Sequence, residues 1–283
     1  MIRTMVCWLA CLAAPFPLLA HGDLHGQIDE VSKAILKSPD NGALVFRRAE
    51  LYRAHQEWEP AMRDYAKAEE LKVDPLVVHM ARGKMLFAAG KHEKACAELD
   101  FVIEKSPRHA DAHATRAGAR AKAGDHPGAV ADYTAAIDAT ASPDPELYLE
   151  RAAILCAATP PQLADALRGL DEGGKRLGSP VTLTLAAVDV EVRMGRFDSA
   201  VERIARARAG AARSELWHVR HAEVLELAGR QTEARAAWTQ ALRALESLPP
   251  RYREVQTTRD LEAKIGQHLS AKEANPLPPS QVQ

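Results

Sequence analysis

The residues best placed to do chemistry in this chain are its 11 histidines. No histidine precedes His21, and the residues before it read as a removable leader, so cleavage after Ala20 would make His21 a chain terminus. A terminal histidine offers one ion both its free amine and an imidazole nitrogen, a donor set suited to copper. His25 follows four residues later in His-Gly-Asp-Leu-His. His21 and His25 are therefore a candidate copper site, the one cofactor that the sequence suggests. His109 with His113, and His218 with His221, are spaced to share one helix face. Without Cys-x-x-Cys, His-Glu-x-x-His or an acid cluster at ligand spacing, both pairs read as packing or solvated groups.

Arginines form the second pattern. Arg48, Arg82 and Arg116 recur every 34 residues, and sixteen residues beyond each stands an acid: Asp64, Glu98 and Asp132. A guanidinium grips a carboxylate through two parallel hydrogen bonds, so a partly buried pair of this kind fixes the angle between two helices. The rival reading is a ladder of arginines that grips an acidic ligand. Arg151 continues the series but meets Leu167 and Gly169 where its acid should be, and it reads as the free cation of the four.

Catalytic patterns are missing from the sequence. It carries neither the Walker pattern nor the dinucleotide fingerprint, and no Gly-x-Ser-x-Gly elbow. The expectation is a protein that is not an enzyme. Lys plus Arg total 37 against 38 acids, which leaves no basic surplus for a phosphate backbone and argues against nucleic acid as a partner. Arg3, the apolar run Thr4 to Ala14 and the segment Pro15 to Ala20 together read as a secretory signal peptide over residues 1–20. An uncleaved anchor, or lipid attachment at Cys11, are the alternatives. That run is short for a bilayer and has no later equal, so no membrane span is expected, and the mature protein would be periplasmic or secreted. Cys96 and Cys156 come from different repeats and are expected to stay unbridged.

The elements that must position these residues follow from a period. Ala61, Ala95, Ala129, Ala166, Ala200 and Ala234 are separated by four intervals of 34 and one of 37. Ala34, Ala68, Val102 and Ala136 form a second register, seven residues behind the first wherever both exist. Small residues at fixed places, Gly90, Gly124, Gly195 and Gly229 at turns, and Asp74-Pro75 between units describe paired helices repeated along the chain. Pro160-Pro161 lengthens one turn and explains the interval of 37. Interior Gly169, Gly173 and Gly174 make the helix beyond it the weakest expected, at up to about 1 kcal/mol each.

These features resemble the tetratricopeptide repeat (TPR) family, over residue 24 to about 248. The resemblance implies an all-α, right-handed superhelical solenoid of about six helix-turn-helix repeats, near 42–75, 76–109, 110–144, 145–180, 181–214 and 215–248. A capping helix is expected over Leu24 to Lys37 within an N-terminal segment of 21–41. A second is expected over Arg251 to Leu269 within 249–272, and a disordered tail over 273–283.

The resemblance also implies a concave groove, lined by the first helix of each repeat, that binds a peptide or partner protein. Carried onto this chain, its positions are Phe46, Glu50 and Arg53; Met80, Lys84 and Phe87; Ala114, Gly118 and Lys122; then Leu149, Asp189, Arg193, Val219, Glu223 and Glu226. Arg151 joins them as the free cation. Apolar anchors flanked by both charge signs suit a protein segment, with Phe46, Met80 and Phe87 as the anchor patch or, alternatively, as core. The expected function is a non-catalytic scaffold within an envelope complex; the alternative is a periplasmic copper-handling protein.

Overall fold

The computed structural model describes residues 22–273, which are helical apart from turns and short links and contain no strand. The leader over 1–20, His21 and the tail after Glu273 lie outside the described residues. The chain divides into two compact units, Met1–Asp125 and His126–Gln283.

In the first unit, α1 (Gly22–Lys37) lies against α2 (Gly42–Ala54) through Ile28 and Val31. Two hairpins follow: α2 with α3 (Trp58–Glu70), and α4 (Pro75–Ala88) with α5 (His92–Lys105); α6 (Ala110–Ala123) packs on α5. The starts are set locally. Asn41 accepts hydrogen bonds from the amides of Ala43 and Leu44, and Asp74 from that of Leu76, with Pro75 in the first turn where its missing N–H has no helical partner to lose.

The second unit begins with α7 (His126–Ala139) and continues through three hairpins: α8 (Pro145–Ala157) with α9 (Leu163–Leu177), α10 (Val181–Arg193) with α11 (Phe197–Ala209), and α12 (Glu215–Leu227) with α13 (Gln231–Glu246). The expected single C-terminal helix is two pieces. A turn of helix, α14 (Pro250–Arg253), precedes α15 (Gln256–Glu273), which packs on α13 and α12.

All six alanines of the 34-residue series are fully buried, at 0% exposure, as are Ala68, Val102 and Ala136 of the second register. A methyl group is what fits where the paired helices approach closely, and a larger side chain would force them apart. Repeat four departs from expectation in an instructive way. Its second helix α9 is unbroken, and a Cβ on Gly169 would fall 2.7 Å from Arg151 Nη2, one on Gly173 2.9 Å from the Tyr148 ring. Both glycines are places where a large side chain of α8 lies directly on the α9 backbone, so their propensity cost is offset by that packing.

Candidate functional site

In the first unit, α2, α4 and α6 are neighbours, and their shared face carries most of the expected groove residues. Phe46 is half-buried, 5.7 Å from the Tyr65 ring. Glu50 accepts from Arg53 Nη2 at 2.7 Å and from the Tyr65 hydroxyl. Burial pushes the Glu50 carboxyl pKa up, but the hydrogen bonds from Arg53 and Tyr65 and the charge of Lys84 outweigh it, and the group is held below the ordinary glutamate value. Lys84 reaches Asp111 of α6 at 2.5 Å. Phe87 is half-buried against Gly118, where an added Cβ would meet the ring at 3.0 Å, and Lys122 is exposed on α6.

Met80 is not an anchor on this face. It is 8% exposed and packs with Leu99, Val102 and Ala112, a gap its flexible thioether fills.

In the second unit, Asp189 and Arg193 are exposed on α10, with Asp189 bonded to Arg220 and Arg193 to the carbonyl oxygen of Cys156 at 2.8 Å. Val219 is buried and Leu149 half-buried against the core. The chain itself occupies the expected groove positions of α12. Lys264 of α15 reaches Glu223, His268 reaches Glu226 at 3.1 Å and stacks on Trp238 at 4.3 Å, and Ile265 is fully buried beside them. Glu223 is thus a docking partner for α15. Its burial raises the pKa, yet hydrogen bonds from Lys264 and Arg220 prevail and hold it low.

The arginine series is structural. Arg48 binds Asp64 through Nε at 2.6 Å and Nη2 at 2.9 Å, and Arg82 binds Glu98 through Nε at 3.0 Å. Arg151 is corrected from free cation to buried core residue: at 8% exposure it donates to Thr134 at 3.1 Å, lies 3.7 Å from Glu172 and covers the Tyr148 ring at 5.5 Å.

Sequence reasoning missed a second partner. Nη1 of each arginine also reaches back to an earlier helix: Arg48 to Ser32, Arg82 to Glu69, Arg116 to Asp100 and Arg151 to Thr134. A guanidinium has five donors, so one carboxylate leaves several to spend on a neighbour. The recurrence of a polar residue thirteen to seventeen positions upstream was the available signal. Also missed was Arg203, which stands at the place of Asp64 within its repeat and grips Glu191 of α10 through Nε at 2.9 Å and Nη2 at 2.8 Å, a clamp of exchanged charge whose acid stands one helical turn beyond the position that Arg48 holds in its own repeat; Asp171 of α9 is its second partner at 2.7 Å.

Cys96 and Cys156 form no disulfide, and both are half-buried. His109 caps α6 and His113 bonds the carbonyl oxygen of Pro107, so that pair serves the backbone. His25 lies with its ring 4.3 Å from that of His55, whose Nδ1 is 2.7 Å from Glu57 Oε1.

The tetratricopeptide repeat model matches residues 80–145 and 185–249. The chain belongs to the tetratricopeptide repeat family. The TPR-containing C-terminal part of a Cytophaga hutchinsonii protein superposes with a TM-score of 0.62 at 15% identity, over 86% of this chain and 96% of that one. PilW, a type IV pilus biogenesis factor, superposes at 0.52 with 20% identity, over 68% and 88%. Both likenesses bear on the TPR fold. Among curated proteins, DnaJ homolog subfamily C member 3 of Bos taurus is 31% identical over 90 residues, 32% of this chain and 18% of that protein. The chain therefore spans under a fifth of that relative's length. No described helix is long and apolar enough to cross a membrane.

Proposed function

We propose that this TPR protein is a non-catalytic scaffold that captures a segment of a partner protein on the face of α2, α4 and α6, in an assembly outside the cytoplasm. The observation that carries this reading is the pair of half-buried rings, Phe46 and Phe87, set among Glu50, Arg53, Lys84 and Lys122. Aromatic anchors ringed by both charge signs favour a polypeptide, which presents apolar side chains and charges together. The opening segment, with Arg3 before an apolar run, supports export.

Capture from envelope extracts with the wild type and with a Phe46→Ala/Phe87→Ala double variant tests it. The wild type should retain a discrete partner that the variant loses, about tenfold or more, since central aromatic anchors contribute roughly 2 kcal/mol or more. Far-UV circular dichroism must show equal helicity. Equal capture by both proteins would assign the rings to the core and refute the proposal.

A further inference from the structure

The turn between α2 and α3 differs from its counterparts. Four other links between helices carry a glycine with positive φ: Gly90 at 71°, Gly124 at 90°, Gly195 at 71° and Gly229 at 75°. The first hairpin places Gln56 there at φ 62°, a conformation that costs a side-chain-bearing residue roughly 1–2 kcal/mol. On either side of Gln56 stand His55 and Glu57, where the second hairpin has Ala89 and Lys91 and the last has Ala228 and Arg230. The tight turn directs both side chains to one place.

Helix α1 supplies a third donor. It packs on α2, and its first turns lie beside the end of α2, which brings His25 from thirty residues upstream to within 4.3 Å of His55, ring to ring. One donor atom from each of His25, His55 and Glu57 lies within 4.8 Å of the others.

Two features distinguish this cluster from an ordinary ion pair. Glu57 is the residue at the N-cap of α3, where a carboxylate ordinarily accepts from the helix amides; its side chain makes no such bond and is turned to His55 instead. And a second imidazole, that of His25, stands beside His55 and brings a third donor atom to the pair. Neutral imidazoles with a carboxylate are a set of metal ligands.

We propose that His25, His55 and Glu57 bind a divalent metal ion of the zinc class, joining α1 to the α2–α3 turn. Two histidines and one glutamate make a three-ligand set that leaves a fourth tetrahedral position for water. Bonds of about 2.0–2.1 Å require donor atoms roughly 3.3 Å apart, so the cluster reaches geometry by small rotations, mostly of exposed His25. Any proton held between His55 Nδ1 and Glu57 leaves to solvent as the metal takes its place. This site differs from the chelate of His21 with His25, because His55 and Glu57 carry it.

The test is zinc titration of the full chain, without a polyhistidine tag and stripped by chelator, in competition with a chromophoric chelator. One equivalent should bind at micromolar affinity or tighter. His25→Ala, His55→Ala and Glu57→Gln should each weaken it at least tenfold, while His109→Ala leaves it unchanged. Cobalt(II) should give the strong visible absorption of a tetrahedral site in the wild type, and zinc should raise the melting temperature of the wild type and not of His25→Ala. His25 is exposed, so its variant keeps the fold, which circular dichroism checks. Absence of stoichiometric binding overturns the proposal, as does zinc binding that survives both His25→Ala and His55→Ala. Binding lost with His25→Ala and kept with His55→Ala overturns it too and points to the N-terminal chelate.

Discussion

The first unit leaves the face of α2, α4 and α6 half-exposed, while the second folds its own last helix onto α12 and seals Glu223 and Glu226 with Lys264 and His268. The difference shows what such a face accepts: a helix with one buried aliphatic residue, Ile265, flanked by cationic or aromatic groups that reach acids on the first helix. The hairpin clamps differ as well. Arg48 pairs with Asp64 with side chains 23% and 11% exposed, whereas Arg203 and Glu191 are at 19% and 2%, and Glu191 also accepts from Ser199 at 2.7 Å. The acid of the clamp is therefore more deeply desolvated in the second unit.

The largest expected effect tests that depth. Glu191→Ala empties the more deeply buried acid site and leaves Arg203 with Asp171 alone, at 2.7 Å, so it should cost about 3 kcal/mol in urea denaturation, the lower end of the range for breaking a buried pair. Asp64→Ala should cost about 1–3 kcal/mol, since Asp64 is less desolvated than Glu191. Equal losses would erase the contrast between the clamps.

A smaller effect concerns two glycines. Gly173→Ala drives a Cβ to 2.9 Å from the Tyr148 ring and 3.0 Å from Leu183, both fully packed, and should destabilise by about 1–3 kcal/mol. Gly118→Ala meets only the half-buried Phe87 ring at 3.0 Å; that ring can turn, and the gain in helix propensity of up to about 1 kcal/mol should leave stability level or improved. Thermal melts of both variants decide it.

The smallest effect is in pH. In the second unit burial lowers the pKa of His218 and His221, helped by Arg208. A histidine whose folded pKa lies below its unfolded value contributes stability that is complete above 6.5 and is lost as pH falls through the folded pKa. Glu50 and Glu223 are also depressed, so their contribution is complete above 4.5 and lost below it, in both units. Hydrogen exchange followed by mass spectrometry should show α12 and α13 loosening first as the solution is acidified from neutrality, with α2, α3 and α15 following only below 4.5. Simultaneous loosening would remove the distinction.

Much of this was legible before any coordinates. The alanine period located the helix pairs because a contact that admits only a methyl group leaves an unmistakable residue choice at fixed spacing. The Arg48–Asp64 and Arg82–Glu98 clamps were equally readable, being repeats of one offset. Arg151 was misread because its acid was absent from the expected place, and an absent partner in sequence looks the same as a free charge. In space the guanidinium lies across Gly169, a site that opens only because that residue lacks a side chain. Met80 failed for a related reason: one residue along a helix, a rotation of about 100°, separates a groove position from a core position, and a methionine satisfies either.

From the sequence alone came the period, the helices, the turns and the charge offsets, since each depends on residues within one hairpin. Tertiary structure decided which faces remain open, that α15 covers α12, and that His25 meets His55 and Glu57. Those outcomes join residues from separate helices, and only the packing of one helix on another brings them together.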